Sequence, residues 1–97
     1  MNNMRAIHPG EIIREEYLEP LGMSANALAT ALRVSAPRIN DIVREKRAIS
    51  VDTALRLARY FDTTAQFWLN LQTSYDLKVA QKNVETIQQE VLPMRVA

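Results

Sequence analysis

Apolar residues recur along this chain at spacings of three and four, and runs that alternate at spacing two are nearly absent. The pattern predicts helices throughout and no sheet. The first predicted helix runs from about Pro9 to Leu18. Pro9 suits a first turn, where its missing amide costs little. Glu11 lies at the positive end of the helix dipole. Ile12, Ile13 and Tyr17 make one apolar stripe, and "EPLG" at 19–22 supplies a stop. A second helix spans about Ala25 to Leu32 behind Ser24 as N-cap, with Leu28, Ala29 and Leu32 inward. A third follows Ser35 and reaches about Glu45. Pro37 is its second residue, where proline marks a start and not a break. A fourth follows Ser50, from about Val51 to Phe61. Leu55, Ala58 and Phe61 line one side of it, beside Ala54 and Leu57. A fifth begins after Thr64 and continues to about Glu90, apolar in "FWLNLQTSYDL" and mostly polar in "KVAQKNVETIQQEVL". Short connections between these helices predict a compact all-α domain over residues 9–77. An N-terminal arm (1–8) precedes it and a helical extension and tail (78–97) follow.

The second and third helices, joined by "RVS", have helix-turn-helix spacing, with the motif at about 25–44. Ala29 is small where the third helix must approach, Val34 is apolar in the turn, and Ile39 and Ile42 point inward. At about 100° per residue, Pro37, Asn40, Asp41 and Arg44 fall opposite Ile39, Ile42 and Val43, with Arg38 at the margin. Arginine pairs with guanine O6 and N7, asparagine with adenine N6 and N7, and an acid accepts from cytosine N4. Asp41 is also placed to orient Arg38 or Arg44. Lys46 and Arg47, just past the helix, suit phosphate contacts, as do the amide ends at Ser24 and Ser35. This polar face is shaped for a major groove. An amphipathic helix always has a polar face, however, so a helical protein-interaction module stays open as the alternative.

Charge sharpens the picture only locally. The net charge of the 97 residues is +1, but residues 33–47 carry +3 and residues 9–19 carry −3. The basic cluster, and not the total, points to a polyanion. A chain this short buries roughly 60% of its unfolded surface, so stability is modest unless a partner adds to the core. No apolar run nears the roughly 20 residues of a membrane span, and the N-terminal residues show no signal-peptide h-region. The absence of cysteine excludes disulfides and thiolate metal sites and fits a reducing cytoplasm.

The stretch "LATALRVSAPRINDIVREKRAIS" resembles the Cro/C1-type (Xre) helix-turn-helix class. With "HPGEIIREEYLEPLGMS" at 8–24 and "ISVDTALRLARYFDTTAQFWLNLQTSYDL" at 49–77, the chain is similar to HigA-type antitoxins from about Ile7 to Leu77. The "FWLNLQ" element is the most specific part. The resemblance implies a five-helix lambda-repressor-like domain with an extended C-terminal helix. It also implies a dimeric repressor on a palindrome in its own promoter, and a RelE-like ribonuclease toxin that the antitoxin neutralises by direct binding. Carried over by position, the base readers are Ser35, Pro37, Arg38, Asn40, Asp41 and Arg44. Many family members have glycine where this chain has Arg33, at a turn position that often needs positive φ. Arginine there costs about 1 kcal/mol, which a phosphate contact would offset.

No catalytic motif, metal-ligand set or cofactor loop is present, so no enzyme, metal or cofactor is expected. His8, the only histidine, is expected at the surface or as a helix cap, and Glu15 and Glu16 on a solvated face. Phe67, Trp68, Leu71 and Tyr75 are expected to pack the fifth helix onto the first and fourth, with an interface for a share of this surface as the alternative. Leu77, Ala80, Val84, Ile87 and Val91 form a short heptad seam. It serves a dimer contact, toxin binding or packing on the chain's own first helix. A solitary Xre-type regulator without a toxin, and a protein-binding module without DNA affinity, remain the alternative functions.

Overall fold

The structure, a computed structural model, describes residues 5–95; the remaining parts of the arm and tail lie outside the described residues. Every regular element among these is helical, as the periodicity predicts. They are α1 (Pro9–Ile12), a π-helical turn (Ile13–Leu18), α2 (Glu19–Leu21), α3 (Ala25–Leu32), α4 (Ala36–Val43), α5 (Val51–Phe61), α6 (Ala65–Ala80), a 3-10 turn (Gln81–Asn83) and α7 (Val84–Glu90). The first three run on as a single helix.

That helix outlasts its expected end. The Glu19 amide bonds to the Arg14 carbonyl five residues back, and the chain stays helical through Pro20. Proline has no amide, and its ring presses on the carbonyl four residues before it. A widened π turn relieves that pressure. Gly22 then stops the helix at φ 60°, with its amide on Glu19 and the Met23 amide on Leu18.

The helices predicted to follow Ser24, Ser35, Ser50 and Thr64 all start there, and each of these residues accepts the amide three residues on. The core gathers Ile13 and Leu18 from the first helix, Leu28 and Leu32 from α3, Ile39 and Ile42 from α4, Leu57 from α5 and Trp68 from α6. Trp68 is fully buried against Tyr17 and Phe61, and its indole N–H donates to Thr63 Oγ1 at 2.8 Å. So α6 packs on the first helix and α5, as expected. Gln72 joins the core unforeseen: its Oε1 accepts the Ile49 amide at 2.8 Å and its amide group reaches Asp76.

Several expectations need correction. Leu55 is 57% exposed and faces away from the core, and Phe67 is also exposed. At about 100° per residue, Leu55 stands a quarter-turn from Ala54, outside the arc that Ala54, Leu57, Ala58 and Phe61 turn to the core. α4 closes at Val43, two residues early. The fifth helix is interrupted at Gln81–Asn83, where it has left the core and no packing holds the α-helical register. The segment beyond residue 78 does not fold back on the first helix; every described residue there is exposed.

Candidate nucleic-acid interface

The turn between α3 and α4 depends on a left-handed residue. Arg33 sits at φ 62° and ψ 42°, with its amide on Thr30 and the Val34 amide on Ala29. The positive φ expected at this position is therefore real, and Arg33 carries its cost of about 1 kcal/mol. The same closure recurs after α4. Glu45 has φ 65°, its amide bonds to Ile42, and the Lys46 amide bonds to Asp41. With only two glycines in the chain, nothing local announced the turn at Glu45.

α4 shows the predicted two faces. Ile39 and Ile42 are fully buried. Pro37 and Arg44 are exposed, and Arg38, Asn40 and Asp41 are half-buried. Ser35 caps the start of the helix by accepting the Arg38 amide. Lys46 and Arg47 are exposed just beyond its end. The eight candidate DNA contacts thus lie along one helix and its two ends.

Their polar partners refine the roles. Asn40 spends its amide hydrogens inside the motif: Nδ2 donates to Asn26 Oδ1 on α3 at 2.7 Å and to the Ala36 carbonyl at 2.9 Å. Reading adenine requires it to release at least one of them. Asp41 orients neither Arg38 nor Arg44; it pairs with Arg47 at 3.4 Å, because the turn after Glu45 brings Arg47 back over α4. Arg38 reaches Asp52 on α5 at 2.8 Å. Asp52 also accepts from Arg56 Nε at 2.9 Å, and Arg56 donates on to the Leu32 carbonyl at the end of α3. The hydrogen bond from Arg38, then that from Arg56, holds the Asp52 carboxyl below the usual range.

The first helix braces the far end of α4. Arg14 donates to the Val43 carbonyl and reaches Glu45 at 3.3 Å, a cation on the negative end of the helix. Gly10 lies directly against the Ile42 carbonyl. Periodicity carries no trace of such contacts, 29 residues apart in sequence for Arg14 and Val43. Asp52 and Arg56 did carry a signal, as opposite charges four apart on a helix.

His8 caps α1 as one of its two expected uses, but it is buried. Its Nδ1 accepts the Gly10 amide at 2.8 Å and its ring meets Tyr75 edge-on. Burial pushes the imidazole pKa down, against the pull of Glu45, Asp76 and the Arg47 carbonyl. The unfolded chain therefore binds the proton more readily than the folded one. Stability is full above the ordinary imidazole value of about 6.5 and falls as pH drops from there to the lower folded value. Thermal melts between pH 7.5 and 5.5 are expected to show this decline. A His8→Asn variant, which caps without titrating, is expected to flatten it, and an equally steep decline in that variant would rule His8 out.

The seam residues Leu77, Ala80, Val84, Ile87 and Val91 are all exposed. The 3-10 turn divides them, and Val91 is extended beyond α7. Among the described residues no acidic, histidine or cysteine cluster is placed to hold a metal ion, and no helix is long and apolar enough to cross a membrane.

The helix-turn-helix family model matches residues 15–68. The chain is 65% identical to virulence-associated protein I of Dichelobacter nodosus, over 89% of this chain and 80% of that protein. Among solved structures it is similar to the Pseudomonas aeruginosa antitoxin HigA with the higBA promoter. There the identity is 55% and the TM-score 0.87, covering 94% of this chain and all of that one. Antitoxin GraA in complex with its operator is 49% identical with a TM-score of 0.88, covering 99% of this chain and 98% of that one. The match spans α3, α4 and the α6 aromatic element alike, and the chain belongs to the HigA-type antitoxins of the Xre (Cro/C1-type) helix-turn-helix family, a family of regulators and not of enzymes.

Proposed function

We propose that this chain is a sequence-specific DNA-binding antitoxin that represses its own operon. One observation carries the reading. α4 buries Ile39 and Ile42 and turns Pro37, Arg38, Asn40, Asp41 and Arg44 outward, on a helix with relatives solved on operator DNA. Ser35 stands at the phosphate-facing helix start, and Lys46 and Arg47 extend the basic surface past its end. As a homodimer the protein would occupy two half-sites of a palindrome about 34–36 Å apart and block polymerase. Leu77, Ala80, Val84, Ile87 and Val91, unpacked in the single chain, supply apolar surface for the second copy or for the toxin. By family analogy that toxin is a RelE-like ribonuclease, neutralised by direct contact in the cytoplasm. A gene for a small basic protein beside this one distinguishes an antitoxin from a solitary regulator.

The DNA part is tested with two variants. Arg38→Ala is expected to lose about 1–3 kcal/mol of operator affinity and little affinity for random duplex. Lys46→Ala is expected to weaken both evenly and reduce the salt slope. Equal loss on operator and random DNA in Arg38→Ala would remove its base-reading role.

A further inference from the structure

The Arg38–Asp52–Arg56 chain raises a question that its stability contribution does not answer. A single carboxylate oxygen, Asp52 Oδ2, accepts from Arg38 on α4 and from Arg56 on α5. Arg56 is in turn anchored on the Leu32 carbonyl, so α3, α4 and α5 meet through these three side chains. Asp52 is 55% exposed and Arg38 33%, and ion pairs that open to water add little to folding. A carboxylate beside a base-reading helix also repels the phosphates that helix must approach. Its position therefore works against affinity for DNA in general.

We propose that Asp52 is a positioning residue for base discrimination: it holds the Arg38 guanidinium against α5, directed at a base edge and away from the phosphates. The inference rests on the DNA-binding reading above. The chemistry supports it in two ways. Arginine has five donors in a fixed fork, and Asp52 takes one Nη1 hydrogen, leaving others for guanine O6 and N7. A free guanidinium on a DNA-facing surface would settle on whichever phosphate lay nearest, and phosphate contacts carry no sequence information. A held one has less rotamer freedom to lose on meeting its base and repels the misplaced alternative.

The test measures binding of the full chain to its own upstream duplex and to a scrambled duplex, for wild type, Asp52→Ala, Arg38→Ala and the double variant. Asp52→Ala is expected to bind scrambled DNA as tightly as wild type or more tightly, and the operator more weakly. The operator-over-scrambled ratio should fall roughly five- to tenfold. In the Arg38→Ala background the same substitution should leave that ratio unchanged. Asp52→Asn, which keeps a polar group in the first turn of α5, serves where Asp52→Ala melts early and is expected to move the ratio the same way. Three results overturn the proposal: an unchanged ratio in both Asp52 variants, a parallel loss on both duplexes, or the same fall in ratio without Arg38. If wild type itself shows no preference for its own duplex, the repressor reading fails and this inference falls with it. If wild type discriminates and the Asp52 variants discriminate equally, only the inference fails.

Discussion

A Gly10→Ala variant is expected to lose about 3 kcal/mol of stability, the upper end of overpacking costs. A Cβ at this position would lie 1.8 Å from the Ile42 carbonyl oxygen and 2.8 Å from its carbon. Both are backbone atoms, so no rotamer change relieves the clash. Either the first turn of α1 lifts off or the end of α4 moves. Lifting α1 also strains the His8 cap, because His8 Nδ1 accepts the amide of Gly10 itself and would stand 3.1 Å from the new methyl. Moving α4 displaces the helix that carries Arg38 and Arg44. The variant should therefore lose operator affinity as well as stability. Urea unfolding followed by circular dichroism measures the first and a duplex titration the second. Stability within about 0.5 kcal/mol of wild type would mean that α1 does not approach α4 this closely.

Trp68→Ala is expected to cost about 3–5 kcal/mol. Trp68 is fully buried, lies 5.4 Å from the Tyr17 ring and 4.9 Å from Phe67, and satisfies Thr63 Oγ1 through its indole N–H. Its removal empties the junction of the first helix, α5 and α6 and leaves a half-buried hydroxyl without its donor. Domains of this kind are held by only about 5–15 kcal/mol, so the variant should be partly unfolded near physiological temperature. Trp68→Phe is expected to be milder, losing the hydrogen bond but retaining most of the apolar volume. A loss under about 1 kcal/mol in Trp68→Ala would contradict this account of the core.

What could be read in the sequence follows from the range of the forces involved. Caps act over three residues, and the helix starts after Ser24, Ser35, Ser50 and Thr64 were all legible. The inward and outward faces of α4 follow from its 3.6-residue period, and so did the exposure of Pro37 and Arg44. Left-handed helix ends were legible only where composition marked them, as at Gly22. Arg33 was anticipated through family likeness, while Glu45 and Asp62 adopt φ 65° and 56° with no glycine to mark them. Contacts that link distant parts of the chain left no local pattern. Gly10 against Ile42, Arg14 on the Val43 carbonyl and Gln72 on the Ile49 amide are of this kind. Asp41 illustrates the limit within the site: its partner depended on the turn at Glu45, and it proved to be Arg47. Leu55 failed for a different reason: it lies about 100° around α5 from Ala54, just outside the arc through which Ala58 and Phe61 meet the core.

Repressor function is decided by titrating the purified protein with its own upstream duplex and with a scrambled duplex, each at two salt concentrations. Tight binding to the native duplex is expected, with clear preference over the scrambled one and affinity that falls steeply with salt as the basic residues of α4 and its flanks release counterions. Equal affinity for both duplexes, or no binding to either, would contradict repressor function. The fold would stand, and the function would move to protein recognition through the exposed surface of α6 and α7.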